Sequence, residues 1–360
     1  MEENRIFLAK ETNIHFNLAT EKYLIESFNP DSNVLFLWKN SPTVVIGRYQ
    51  NPWEECHLES MRKDGVVLAR RCSGGGAVYQ DLGNICFTII TPAKKANKVK
   101  NFEVVLRALE LMGLKANLSG RNDILVDGKK ISGSAFQTTS GRFCHHGTML
   151  ISTNLTKLSQ YLTPNQHKLE SHGVKSVSSR VANLSEFLPS ATTELFASCM
   201  AQAFNEIFGE ALSATLKIQC PIEEVSKEKL EQYSLLRQSY ETFSSNEWNF
   251  GKCPTFTDKL SGRTSSGLVT FYLTVKKGSI TKAFVSTDAL QTQDSDQALE
   301  QELETLTTIL VGLPYNATEI REAADRAAEA ADRAADKKIA HGFVCDCLRL
   351  LASLITERTQ

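Results

Sequence analysis

The chain has 360 residues, 42% of them apolar and 22% charged, enough for one large domain and a smaller one. Forty basic residues against forty-one acidic ones leave a net charge of −1, so no global basic field argues for nucleic acid, and no apolar run reaches the ~18–20 residues of a membrane span. Nine cysteines lie without CxxC pairs or a short-spaced framework, and the first residues are acidic; reduced thiols in a cytoplasm are the expected setting.

Apolar spacing makes the first ~245 residues a mixture of strands and helices. A strand is expected at 6–9, then a helix over 17–28 with Leu18, Tyr23, Ile25 and Phe28 as its apolar residues. Two short β-rich runs, 34–38 and 43–47, are joined by the turn signal Asn40-Ser41-Pro42. Residues 66–71 form a strand into a glycine-rich loop. Strands 76–79 and 85–90 flank Gln80-Asp-Leu-Gly-Asn84, read as a hairpin connection, and 102–112 is an amphipathic helix. A second hairpin follows at 123–135 around Asp127-Gly128, the preferred two-residue turn. Residues 158–213 read as mainly helical, and 240–254 as a break between domains. Beyond it come a hairpin at 267–287, a helix at 298–310 and a helix at 343–355. Before that last helix, Ala323-Ala-Asp-Arg-Ala-Ala-Glu329 is followed by a near-copy at 330–336. Alanine favours a helix there, supported by Glu322–Arg326 and Glu329–Arg333 pairs, but its small side chains predict weak packing.

Two stretches carry chemistry. In Leu68-Ala-Arg-Arg-Cys-Ser-Gly-Gly-Gly-Ala-Val-Tyr-Gln80, two guanidiniums lead into three glycines. Such a loop admits φ > 0 and presents successive N–H groups to an anion; a plain tight turn is the bland alternative. In the 123–135 hairpin, the turn register pairs Val126 with Lys129, Leu125 with Lys130 and Asp123 with Ser132. Strand alternation then puts Asp123, Lys130, Ser132 and Ser134 on one face and Lys129 on the other. Four polar groups on one face are either a site or a solvated surface.

Taken together, these residues resemble the lipoate–protein ligases of the biotin/lipoate ligase family. The motifs are Phe36-Leu-Trp-Lys-Asn40, Val44-Val-Ile-Gly-Arg-Tyr-Gln-Asn-Pro-Trp-Glu-Glu-Cys56, Arg70-Arg-Cys-Ser-Gly-Gly-Gly-Ala-Val-Tyr79, Gly120-Arg-Asn-Asp123, Lys130-Ile-Ser-Gly-Ser-Ala135 and His145-His-Gly-Thr148. Ser176-Val-Ser-Ser-Arg-Val181, Asn183-Leu184 and Trp248-Asn-Phe-Gly251 extend the match, while 322–336 belongs to no family motif. The resemblance implies an α+β fold: a mixed-sheet catalytic domain with helices over 1–246, a hinge at 247–254, and a small α+β accessory domain over 255–360. That domain would end in the alanine-rich helical extension, 318–360.

The resemblance also implies a reaction. Lipoate is joined to the α-phosphate of ATP, pyrophosphate leaves, and a carrier lysine displaces AMP from the lipoyl-adenylate. ATP and Mg²⁺ are then substrate and metal, and no bound prosthetic group is implied. Lipoate or octanoate would be the acid. The acceptors would be apo lipoyl domains of 2-oxoacid dehydrogenase acyltransferases and the glycine-cleavage H protein. Lys130 would be the central cation, bridging carboxylate and α-phosphate. Arg71 and the amides of Gly76, Ala77, Val78 and Tyr79 would cradle the nucleotide. Asp123 either holds Mg²⁺ or orients Lys130. Leu18, Trp38, Val45, Gly74, Gly75 and His146 would line the lipoate slot. His145 and His146 are either acid–base groups for the incoming amine or structural. Two other functions use the same fold: a lipoyl- or octanoyltransferase without ATP activation, for which Cys72 and Cys144 are the nearest thiols, and a non-catalytic acyl- or nucleotide-binding regulator.

Overall fold

A computed structural model describes residues 4–120, 122–162, 181–209, 222–252, 255–287, 296–333 and 341–358. Arg121, Ser176-Val-Ser-Ser-Arg180, Cys253, Pro254, the expected helix past 162 and past 209, and the end of the second alanine heptad lie outside them. The chain forms two compact units, Met1–Arg48 with Met61–Ser245, and Tyr49–Ser60 with Asn246–Gln360. No helix among the described residues is long and apolar enough to cross a membrane.

The first unit is built from strands β1 (Asn4–Ala9), β2 (Asn33–Trp38), β3 (Thr43–Ile46), β4 (Val67–Arg70), β5 (Val78–Gln80), β6 (Asn84–Pro92), β7 (Asn117–Ser119), β8 (Asp123–Val126), β9 (Lys129–Thr139), β10 (Arg142–Leu150) and β11 (Ile222–Val225). Its main helices are α1 (Ile14–Glu26), α2 (Lys98–Leu111), α3 (Thr193–Phe208) and α4 (Ser234–Ser244). Helices α1, α2 and α3 each open on a side-chain cap, Asn13, Asn97 and Thr192, whose oxygen accepts one of the unpaired first-turn amides. Eight strands form one mixed sheet in the order β11-β1-β2-β6-β10-β9-β8-β7, and β4-β3-β5 form a second, small sheet.

Alternation along β6 sends Ile85, Phe87 and Ile89 to one face of the large sheet, against Phe102, Val105 and Leu109 of α2 and Phe196, Met200 and Phe204 of α3. Each such buried side chain contributes roughly 1.5–3 kcal/mol. Thr88 and, from β10, His146 face the other way, toward α1, whose Glu21 bonds both.

Several expectations change. Residues 34–38 and 43–47 are both strands, but they enter different sheets. A buried chain from Asn17 to Asn40 to Gln80 ties the turn between them to β5. The 80–84 connection is not a hairpin, because β5 pairs with β3 while β6 pairs with β2 and β10. A Cβ on Gly83 would collide with the Ser152 backbone, so this link runs tightly under another segment. The region read as a break at 240–254 does contain the division between the units, at Ser245–Asn246, but it is reached through helix, α4 and the turn Asn246–Asn249.

The second unit packs the antiparallel sheet β12 (Phe256–Thr264), β13 (Gly267–Lys276) and β14 (Ser279–Thr287) against α5 (Asp296–Leu310), α6 (Ala317–Arg333) and α7 (His341–Arg358). The alanine-rich helix does pack: Ile320 and Ala324 are fully buried in the same core as Leu348 and Leu351. Small side chains there let α6 and α7 approach closely. The segment Tyr49–Ser60 belongs to this unit although it sits inside the stretch read as one catalytic domain. Its Trp53 is 5% exposed and lies against Phe250 and Tyr315, each with ring centroids 5.5 Å away.

Candidate active site

The glycine loop between β4 and β5 is organised by the two arginines. Arg70 is fully buried and donates from Nη1 to the carbonyls of Gly47 and Arg48, so alternation does turn it away from the loop. Arg71 turns inward. Its Nε donates to Ser73 Oγ (3.1 Å) and Gly74 O (3.2 Å), Nη1 to Val45 O (3.2 Å), and Nη2 to Gly74 O (2.7 Å) and Gly76 O (2.8 Å). Burial lowers its pKa to about 10, so it stays a cation near neutrality. Most of its donors are therefore spent on the protein. In a trans peptide, the C=O of one residue and the N–H of the next point in opposite directions. Fixing the oxygens of Gly74 and Gly76 on Arg71 thus turns the amides of Gly75 and Ala77 away from it. Gly75 has φ +98°, and a Cβ there would lie 2.8 Å from Arg71 Nη2, so only glycine fits. A Cβ on Gly74 would meet open space. Gly76 and Ala77 belong to this loop, whereas Val78 and Tyr79 are already in β5, opposite Val45 and Val44.

Behind the loop runs a buried polar chain. Trp38 Nε1 donates to Thr88 Oγ1 (3.1 Å), and that hydroxyl donates to Glu21 Oε1 (2.7 Å). The same carboxylate oxygen is 2.8 Å from His146 Nδ1, and His146 Nε2 is 2.7 Å from Ser73 Oγ. Burial pushes the Glu21 carboxyl up, but His146, the Thr88 hydroxyl and the Arg71 charge outweigh it and hold the carboxyl below its ordinary value. Glu21, Cys144 and His146 also bring three potential metal-ligand atoms within 4.8 Å of one another. Both imidazole nitrogens are taken by hydrogen bonds, so this group reads as a polar core. Of the expected slot residues, Trp38 and His146 are in this chain, Val45 meets Arg71 through its carbonyl, and Leu18 lies buried one turn before Glu21.

The Lys130 hairpin has the expected turn, with Asp127 and Gly128 both at positive φ (48° and 78°). Val126–Lys129 and Leu125–Lys130 pair as expected. A bulge then shifts the register, so that Asp123 faces Gly133 and Ile124 faces Ser132. Asp123 and Lys130 still share a face, with Lys130 Nζ 2.8 Å from Asp123 Oδ1. Ser132 and Ser134 do not: they project to the opposite face, and their hydroxyls are buried without a hydrogen-bond partner. A Cβ on Gly133 would lie 3.2 Å from Lys130 Nζ, so the lysine lies across the space that glycine leaves. Ala135, two residues on, pairs with His146. Lys130, Asp123 and His146 therefore stand on one face of the large sheet. Gly133 and His146 are separated there by one strand spacing and two residues, on the order of 8 Å. Lys129 points away and pairs with Glu186 at 3.2 Å.

His145 is structural. It is fully buried, stacked on Phe136 (4.5 Å) and beside Phe102 and Phe87. Burial, then the His146 and Lys98 charges, lowers its pKa to about 3. The folded state thus refuses a proton that the unfolded chain takes near pH 6.5. Stability is full above that pH and falls by up to about 1.4 kcal/mol for each unit below it, down to the folded pKa. His145→Phe should flatten this slope between pH 6.5 and 4 in urea unfolding. An unchanged slope would contradict the assignment.

The large mixed sheet with its flanking helices is that of the biotin/lipoate ligase fold. The chain belongs to the lipoate–protein ligase family: the lipoyl protein ligase A/B catalytic domain matches residues 13–205, and the bacterial lipoate protein ligase C-terminus matches residues 253–340. It is 43% identical to lipoate-protein ligase A of Psychrobacter cryohalolentis over 80% of this chain and 84% of that protein. P. falciparum LipL1, solved in complex with lipoate, covers 90% of this chain and 94% of its own at 30% identity and a TM-score of 0.61. A lipoate-protein ligase A structure bound with ATP covers 70% of this chain and 100% of its own, at 28% identity and a TM-score of 0.59.

Proposed function

We propose that this enzyme adenylates lipoate with ATP and transfers the lipoyl group to a lysine of an apo lipoyl domain. The observation that carries the reading is the Lys130–Asp123 pair, which shares a sheet face with His146 and, through it, the glycine loop. In the first step a lipoate carboxylate oxygen attacks the α-phosphorus of ATP, and pyrophosphate leaves. Lys130 is placed to neutralise both reacting anions, while the Gly75 and Ala77 amides meet phosphate oxygens. Asp123 holds the ammonium in place. Mg²⁺ accompanies ATP as part of the substrate, and the exposed edge of the Asp123 carboxylate suits a hard cation that keeps phosphate and water oxygens as its other ligands. In the second step a carrier lysine amine attacks the acyl carbon and AMP departs. Trp38, Leu18, Val45 and His146 form the acyl slot. Octanoate is the natural short-chain competitor, and lipoyl domains of 2-oxoacid dehydrogenases and the glycine-cleavage H protein are the acceptors, in the cytoplasm. Lipoate-dependent exchange of labelled pyrophosphate into ATP tests this. A transferase or a regulator gives no exchange.

The thiols favour the adenylate route over an acyl-thioester one. Burial, then the Glu21 charge, pushes the Cys72 thiol up to about 11 and Cys144 well above its ordinary value. Neither supplies a thiolate near neutrality. Cys72→Ser and Cys144→Ser should each keep most of the ligation activity. Loss of ligation, with an acyl adduct on that thiol in wild type by mass spectrometry, would replace this reading with the transferase.

A further inference from the structure

Glu21, the centre of the buried chain behind the glycine loop, has no part in the chemistry above, yet one arm of that chain ends on the residue that shapes the loop. Glu21 is 3% exposed and sits at the middle of α1, on the helix side that carries Leu18 and Ile25. A carboxylate there is costly unless it is fully bonded and serves a purpose. Its partners lead two ways, through Thr88 to Trp38, and through His146 to Ser73 and from Ser73 to Arg71. Hydrogen-bond bookkeeping sets the direction of each link. Ser73 Oγ accepts Arg71 Nε–H, so its own proton is best placed on an acceptor, and His146 Nε2 is the one at hand, 2.7 Å away. That requires the His146 proton on Nδ1, where the Glu21 carboxylate accepts it.

We propose that Glu21 is a positioning residue for nucleotide binding, acting through His146 and Ser73 to hold the Arg71 guanidinium in the orientation that aims the Gly75 and Ala77 amides at phosphate. This rests on the ligase reading for the identity of the anion, though not for the relay itself. The same three residues, with links of 2.7 and 2.8 Å, have the spacing of a Ser-His-Glu nucleophilic triad. Two features oppose that use. Ser73 is 2% exposed, and the Arg71 Nε–H lies on the lone pair that an attacking oxygen would need. Glu21 therefore sets geometry, and Ser73 forms no acyl-enzyme.

The test uses Glu21→Gln and Ser73→Ala singly and together, in the full-length chain. Ser73→Ala removes a single hydroxyl and keeps the fold. Each single change should raise the ATP KM in pyrophosphate exchange by about 5–10-fold, the loss of one well-placed hydrogen bond, with a smaller change in lipoate KM. The double variant should be no worse than the weaker single one, because both cut the same relay. Multiplying effects, or a change confined to lipoate KM, would overturn the proposal, the latter by making Glu21 only a wall of the acyl slot. So would labelling of Ser73 by a fluorophosphonate. Ring ¹⁵N shifts of His146, assigned with His146→Gln, give a readout that needs no turnover. Wild type should carry its proton on Nδ1 with Nε2 as an acceptor, and Glu21→Gln should lose this single form. A wild-type proton on Nε2 alone would end the proposal. If wild type shows no lipoate-dependent exchange, the ligase reading fails, and the ring-nitrogen measurement still decides the relay.

Discussion

Lys130→Ala should lower lipoate-dependent pyrophosphate exchange by at least 10²–10³-fold, about 3–4 kcal/mol of transition-state stabilisation. The fold should be untouched. The Lys130 side chain is about one-third exposed, and its bond is to Asp123, itself partly exposed, so little stability depends on the pair. What is lost is a cation already placed where charge gathers as the carboxylate meets phosphorus. Asp123 keeps its negative charge in the variant, now uncompensated beside the triphosphate, which deepens the loss. Lys129→Ala is the control: it differs by one residue, faces the other side of the sheet, and removes an exposed pair with Glu186 and a contact over the Phe187 ring. Exchange within a few-fold of wild type for Lys130→Ala, or equal losses for the two lysines, would reject the assignment.

Arg71→Lys should cost about 10²-fold in exchange, chiefly as a higher ATP KM. The substitution conserves charge, so a phosphate-neutralising role alone would predict a mild effect. The structure predicts a severe one. Five hydrogen bonds radiate from the planar guanidinium to four partners, Ser73, Val45, Gly74 and Gly76, and one ammonium with three donors cannot span them. Without them the Gly74 and Gly76 peptides are free to rotate, and the amides of Gly75 and Ala77 lose their common direction. Gly47→Ala should act similarly from the other side, because its Cβ would collide with the Gly75 carbonyl oxygen. Near-normal ATP KM in Arg71→Lys would show that the loop holds its shape without the guanidinium.

Local signals were legible in the chain. Asp127-Gly128 demanded a tight hairpin, and alternation from that turn placed Lys130 opposite Lys129. The triple glycine marks a loop whose backbone enters the left-handed region, as Gly75 does at φ +98°. What stayed hidden depended on partners remote in sequence. The bulge that moves Asp123 from Ser132 to Gly133 leaves no residue signature, and it sends two serines into the core side. Nothing local to Arg71 says that its loop's carbonyls turn back onto it. Glu21 did carry a signal: it lies three residues after Leu18 and four before Ile25, on an otherwise apolar stripe. A carboxylate at that spacing marks a buried, fully bonded group. The 80–84 link reads as a hairpin because sheet membership is not a local property.

The allocation of Tyr49–Ser60 to the second unit has a consequence for how the chain acquires its structure. Trp53 emerges early in synthesis, but Phe250 and Tyr315, the rings it packs against, come about 200 and 260 residues later. Until then the two rings that cover this large indole have not been made, and the second core cannot close around a segment of its own. Pairings so distant in sequence slow folding and prolong the exposure of apolar surface. The chain also passes between the units three times, at 48–49, 60–61 and 245–246, so neither is a contiguous piece that a ribosome could finish and release to fold first. Cutting at 246 would strand Trp53 rather than liberate a self-sufficient catalytic half. Assembly of this ligase is thus a late, whole-chain event, and chaperone dependence should concentrate in nascent chains that have passed residue 60 and not yet reached residue 315.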